Sequence, residues 1–550
     1  MSETVIQGNL VDAMARSMQP VELHLREGSI TSIRPIKGSF PNPELPFILP
    51  GFIDAHVHIE SSMLVPSAFA ALAVTHGTVA TVSDPHEIAN VCGMEGVSFM
   101  IENGKQVPFK FYFGAPSCVP ATVFETAGDK LDPEQVQNLL EMEEVKYLSE
   151  MMNFPGAIAG DPEVMAKIEA AHQLGKPVDG HAPGLRGDGL RTYIERGIST
   201  DHECFTLEEA LEKISLGMKV IIREGSAAKN FDALHALIDM HPDMVMFCSD
   251  DKHPDSLVAG HINKLCARAV ALGHDVFHVI RAACINPVLH YKLDVGILRE
   301  GDPADLVLVD NLNDFSVQAT YINGNKVAEK GVSLVDINDI TVKPINRFDI
   351  EEIDEEDLKL AVNSDYNLPV IGCKDGQLIT DKLFLKPEAF DGLWQSNLSD
   401  DVLKMVVVNR YQKAPVAIAF VHAFGLKEGA IASSVAHDSH NIVAVGVDDV
   451  SLCKAINLVI RAKGGVSCVG KDIEQVLPLP VGGLMSVDDG LKVAAAYTKI
   501  DQSAKDLGSS LSAPFMSLSF MALLVIPHVK LSDKGLFDGD AFSFYQPLKN

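Results

Sequence analysis

From residue 52 to residue 251 the chain alternates between short apolar runs and longer stretches whose apolar positions recur at helical spacing. Eight runs have strand length and are bounded by turn residues: 52–60, 79–85, 110–116, 145–151, 177–183, 199–204, 219–225 and 244–251. Helices are predicted between them. In Asp132-Pro-Glu-Gln-Val-Gln-Asn-Leu-Leu, Asp132 is placed as the N-cap and Pro133 at the first helical position, where its missing N–H breaks no hydrogen bond. Eight strand–helix units in series predict an α/β fold, a TIM-type (β/α)8 barrel whose active site gathers at the C-terminal strand ends. An open doubly wound sheet is the alternative, but no Gly-x-Gly-x-x-Gly follows an early strand to support it.

The flanks have a different rhythm. Val21-Glu-Leu-His-Leu alternates, Arg26-Glu-Gly-Ser29 is a turn, and Ile30-Thr-Ser-Ile-Arg returns, which is a hairpin signature. Short strand-like runs of the same kind occupy 296–331. The expected organisation is a small composite β-sandwich from 1–48 and 293–345, a catalytic barrel over 49–292, and an α+β domain over 346–550. In that last region Asp349–Asp357 reads as an acidic linker or solvated face, and 369–372 and 402–409 read as strands. Ile442-Val-Ala-Val-Gly then leads to a helix after Asp448-Asp449, with Leu452, Ile456, Val459 and Ile460 on one stripe and Gly464 beyond its end.

Composition narrows the function. With 45 basic against 74 acidic side chains the formal charge is -29, which argues against nucleic acid or an anionic membrane as partner. The nine cysteines are dispersed with no CxxC, as in reduced, buried thiols. The first residues lack the basic and apolar regions of a signal peptide, and no apolar run reaches the 18 residues that suggest a membrane span. A cytoplasmic enzyme acting on a small neutral or cationic molecule is the expectation.

The chemistry lies at the predicted strand ends. Strand side chains alternate between faces, so Asp54, His56, His58 and Glu60 of the first run are expected to share one, and two imidazoles two residues apart can reach one ion. The second strand runs into Asp84-Pro-His86-Glu87, the fourth carries Lys146 and Glu150, and the fifth ends Asp179-Gly-His181. The sixth holds Asp201-His202-Glu203 and the eighth ends Ser249-Asp250-Asp251. Carboxylates and imidazoles gathered at one barrel mouth repel or desolvate one another unless a cation compensates, so a metal site is expected. His437-Asp-Ser-His440 is read as a polar loop bordering the site, because catalytic triads assemble from distant positions.

The run PGFIDAHVHIESS and the order His-x-His, carboxylate, His, His, Asp resemble the amidohydrolase superfamily. More closely, DPHEIANV (84–91), SEMMNFPG (149–156), DGHAPG (179–184), IREGSAA (222–228), AHDSHN (436–441) and LPLPVGGLMS (477–486) resemble the bacterial adenine deaminases, nearly from end to end. The resemblance implies hydrolysis of adenine to hypoxanthine and ammonia by a metal-activated water attacking C6. It implies two divalent ions, manganese or iron first and zinc as the alternative. The ligands it implies are His56, His58, Glu150, His181, His202 and Asp250, with Glu150 bridging. Asp250 is expected to pass a proton to the departing amine and Glu150 to serve ring N1, while Asp84, His86 and Glu87 orient water or assist. Adenine is the expected partner, in a homo-oligomeric protein. Two rival readings remain: a hydantoinase-like cyclic amidase using Lys146 as a carbamylated bridge, and a non-catalytic scaffold on the same fold. The filled ligand positions argue against the scaffold.

Overall fold

The computed structural model describes residues 3–37, 41–362 and 367–545. Six parallel strand segments form one sheet in the order Asp250–Asp251, Phe52–His58, Thr78–Ser83, Lys110–Ala115, Val145–Met151 and Val178–Gly180. Thr200–Asp201, Lys219–Arg223 and Val245–Cys248 form a second. The two sheets join at both seams: Val178 bridges Ile198, and Asp250–Asp251, continuing the preceding strand past Ser249, pairs with Val57 and His58. The eight predicted runs therefore become the staves of a closed TIM-type barrel.

Most staves stop short of the apolar runs that predicted them, and three show the physical reason clearly. At the mouth, side chains replace ladder partners. Asp201 accepts from the Ala182 and Glu203 N–H groups at 3.1 and 2.6 Å, and Tyr193 OH accepts from His181 N–H at 3.2 Å. The fifth and sixth strands thus stop at Gly180 and Asp201, freeing His181 and His202 to turn over the opening. The first strand stops at His58, because Ile59–Ser62 winds into a 3-10 turn in which Ser62 Oγ donates to Ile59 O at 2.6 Å.

The two flanks meet through Phe47–Pro50, which pairs in parallel with Thr4–Asp12 and antiparallel with Leu306–Val309. The ladder runs unbroken through eight strands, from Val332–Ser333 to Ser29–Pro35. Val21, Leu23 and Leu25 share an apolar cluster with Ala319 and Tyr321, several strands away, so the sheet curls around its own small core. Its remaining face packs on the barrel through Leu49, Phe52, Val307 and Phe315.

Residues 367–545 centre on a second eight-stranded sheet, in which Val402–Val408 lies between Ala417–His422 and Ile442–Gly446. The helix Asp449–Ala462 covers one face with Leu452, Ile456, Val459 and Ile460, all buried. Asp448 caps its start by accepting from Ser451 N–H at 2.8 Å. It ends at Ala462 with Lys463 as a left-handed cap, and the chain leaves through Gly464, where φ is +121° and a Cβ would lie 2.2 Å from Gly483 Cα, so only glycine fits. Of the acidic run 349–357, Ile353 turns inward and its N–H donates to Asn457 at 3.0 Å, while most of the carboxylates stay in water. Among the described residues no helix is long and apolar enough to cross a membrane, and all nine cysteines are buried free thiols.

Candidate metal centre

Glu150 sits at the centre of the barrel mouth. Its Oε1 lies 3.5 Å from His58 Nε2 and 3.4 Å from His86 Nδ1; its Oε2 lies 2.7 Å from His181 Nδ1 and 3.1 Å from His202 Nε2. Beside it, His56 Nε2 is 3.2 Å from His58 Nε2, and Asp250 Oδ1 is 3.6 and 3.4 Å from those two nitrogens. The six residues named by the sequence thus converge, although they come from five staves.

The donor set fits metal ions. Ligands about 2.1 Å from an ion at near-tetrahedral or octahedral angles stand roughly 3.0–3.4 Å apart, the spacing seen here. Among the groups whose donor atoms lie within 4.8 Å of one another are three around this cluster: His56, His58 and Asp250; His56, Glu150 and His202; and His58, Asp84, His86 and Glu150. Glu150 belongs to two of them. Asp84 Oδ2 and both ring nitrogens of His86 are buried with no hydrogen bond, a costly state that a cation would relieve.

The electrostatics agree. Burial pushes the Glu150 carboxyl up, but the imidazoles of His181 and His202 outweigh it and hold the group well below the usual carboxylate range. Asp250 is likewise held down against burial, mainly by Arg223. Burial, then His202, pushes His56 well below the ordinary imidazole value, favouring the neutral ring that ligates a metal.

Several nearby charges serve the cluster without joining it. Arg223, from the seventh strand, grips both oxygens of Glu203, with Nη2 to Oε2 at 3.0 Å, and its Nη1 reaches Asp250 Oδ2 at 2.9 Å. The sequence reading missed this role, since a lone arginine within IREGSAA carries no local sign of two carboxylates on neighbouring strands. Asp54 departs from the expected shared face: it accepts from Ser249 N–H at 2.9 Å and pairs with His261 at 2.8 Å. Glu60, lifted off the strand by the 3-10 turn, accepts from Ile88 N–H at 3.1 Å. Asp179 holds Thr200 and Tyr291, and Asp201 pairs with Lys213 at 3.0 Å. Lys146, second in the strand Val145–Met151 and four residues before Glu150, helps lower the Lys176 ammonium, after burial.

The third region reaches into this mouth. Glu87 pairs through Oε1 with His437 Nδ1 and through Oε2 with His440 Nε2, and His86 Nε2 is 3.6 Å from Asp438 Oδ1. The loop 436–441 is therefore a wall of the site, as expected of a bordering loop, and its histidines anchor Glu87. The pocket between barrel and loop is lined on the far side by Leu378, Leu523 and Val525.

Comparison with known proteins covers nearly the whole chain. Residues 47–327 match the amidohydrolase family, and residues 377–543 match the adenine deaminase C-terminal domain. An adenine deaminase of Salinibacter ruber is 55% identical over 541 residues, covering 98% of each chain. Those of Sulfurovum sp. and Methanosarcina acetivorans are 54% and 51% identical, again over 98% of each chain. With a family match across the barrel, another across the tail and relatives of this similarity at nearly full length, the chain belongs to the adenine deaminase family of amidohydrolases.

Proposed function

We propose that the chain hydrolyses adenine to hypoxanthine and ammonia at two divalent ions held by His56, His58, Glu150, His181, His202 and Asp250, with Glu150 shared between them. The observation that carries this is the position of Glu150, each of whose oxygens faces two imidazole nitrogens from different elements of the barrel. Manganese or iron are the ions proposed, with zinc as the alternative. When bound, such ions lower the pKa of a coordinated water to about 7 and supply a nucleophile at neutral pH.

The protein's part is to place the base and move two protons. Water brings both: one ends on N1 of hypoxanthine and the other on departing ammonia. Asp250 is assigned the amine proton. Its Oδ2 is held by Arg223, which leaves Oδ1 toward the site. Glu150 serves N1. His86, 3.2 Å from Asp84 Oδ2 and 3.4 Å from Glu87 Oε1, links the two remaining carboxylates proposed to orient water.

A hydantoinase-like reading would need Lys146 at the bridge, and the Glu150 geometry disfavours it. The proposed organisation is a composite β-domain from 1–48 and 293–345, the barrel 49–292 and the tail 346–550. A homo-oligomer and a cytoplasmic location complete the reading; light scattering tests the first and fractionation the second. Ammonia release from adenine by metal-loaded protein, with hydantoin as the competing substrate, tests the activity. Turnover of hydantoin and none of adenine would overturn it.

A further inference from the structure

The barrel wall of the pocket holds the reacting groups, so the opposite wall must read the rest of the base. That wall belongs to the tail, and two of its polar groups have unmet hydrogen-bonding capacity. Glu87 occupies His437 Nδ1, which leaves His437 Nε2 on the pocket side, 3.7 Å from Asp251 Oδ1 and with no hydrogen bond among the described residues. Next to it, Asp438 Oδ2 is buried without a partner, and Asp438 Oδ1 comes no closer than 3.6 Å to His86. Carboxylates stand at both ring nitrogens, Glu87 at Nδ1 and Asp251 3.7 Å from Nε2, the surroundings of a donor at each; against burial, which lowers the ring, they push it up to about 10.

The loop presenting this pair is fixed from three sides. His437 N–H donates to Ser519 Oγ at 2.9 Å, Tyr411 OH donates to Ser439 O at 2.6 Å, and Asn441 Nδ2 donates to the barrel residue Thr126 at 2.9 Å. Met152 on the barrel side and Leu378, Leu523 and Val525 on the tail side are suited to the faces of a flat aromatic ring.

Given adenine as the substrate, its C6 edge must face Glu150 and Asp250, and the amino group must be free to leave. The edge turned to the tail is then the one bearing N3, an acceptor, beside N9–H, a donor. A donor and an acceptor on adjacent residues complement it. We propose that His437 and Asp438 are the specificity-determining residues of the tail, with His437 Nε2 donating to N3 of adenine and Asp438 accepting from N9–H. A base carrying a sugar on N9 has no proton to give and meets Asp438 instead, so the pair selects the free base over its nucleoside.

The test is an atom-by-atom comparison on manganese-loaded protein. Wild type is assayed first for ammonia release from adenine; failure there sinks the adenine reading itself, separately from this assignment. With that activity in hand, 3-deazaadenine should lose roughly 10–100-fold in kcat/KM against adenine, the loss typical of one missing hydrogen bond to a charged donor. In His437→Phe that ratio should collapse towards one, with metal content unchanged. Asp438→Ala should raise the ratio of 9-methyladenine to adenine by a similar factor. If turnover is too low to measure, calorimetric binding of hypoxanthine against its 3-deaza analogue reads the same ratio. A purely structural role for His437 would lower the unfolding temperature and leave the analogue ratios as in wild type. Unchanged ratios in both variants overturn the assignment.

Discussion

Exchanging the charge of Glu150 while keeping its shape is the sharpest perturbation of the cluster. Glu150→Gln retains one carbonyl oxygen but puts an amide NH2 where the other oxygen faces two imidazole nitrogens. Both Glu150 oxygens have nitrogens at 2.7–3.5 Å, so whichever way the amide turns, one face is lost. A unit charge about 4 Å from another contributes roughly 4 kcal/mol at an effective dielectric near 20. At about 1.4 kcal/mol per tenfold, losing one such interaction weakens metal binding by about 10³. The assay is elemental analysis after dialysis against a mild chelator, paired with ammonia release per retained ion. Glu150→Gln should lose at least one ion per chain and most of its turnover. Lys146→Met, altered at the opposite end of the same strand, should keep most of both. Retention of both ions and full rate in Glu150→Gln, or bicarbonate-dependent reactivation lost with Lys146, would refute the carboxylate bridge.

Three further outcomes follow from the same geometry. Asp250→Asn should lower the rate per bound ion by about 10²–10⁴, the usual contribution of a proton-transfer group, and an unchanged rate in fully metallated variant would reduce Asp250 to a ligand. Arg223→Met leaves Glu203 and Asp250 buried without their counter-charge, so it should destabilise by about 3–5 kcal/mol in chemical denaturation; a wild-type midpoint would contradict the buried pairing. His253 is pushed down to about 3 by burial and then by His437, below the roughly 6.5 of an unfolded histidine. The unfolded chain therefore binds this proton first. Stability is complete above about pH 6.5 and falls with acid towards pH 3 by up to about 1.4 kcal/mol per unit. In His253→Gln the pH dependence of the unfolding midpoint should be shallower than in wild type between pH 6.5 and 4, and equal slopes would contradict it.

The barrel was legible because each stave is a short apolar run closed by turn residues, and this pattern survives tertiary packing. The helix Asp449–Ala462 was legible for the same kind of reason: its cap, its stripe and its terminal glycine are all local. Glu60 was not. Strand alternation put it beside His58, and only the 3-10 turn, closed by Ser62, carries it away. Arg223 needed knowledge of which strands neighbour the seventh. The pairing of Glu87 with His437, 350 residues apart, has no local signal, since neither residue's surroundings specify the other. The meeting of the two flanks rests on Phe47–Pro50, a four-residue strand whose two partners lie at opposite ends of the barrel segment.

The central claim is that two ions and adenine meet at Glu150. It is tested most directly by titrating metal-stripped protein with manganese while following ammonia release from adenine. The rate should rise from background and level off at two equivalents per chain. Full activity without added metal, saturation at one equivalent, or no ammonia at any loading would contradict the account.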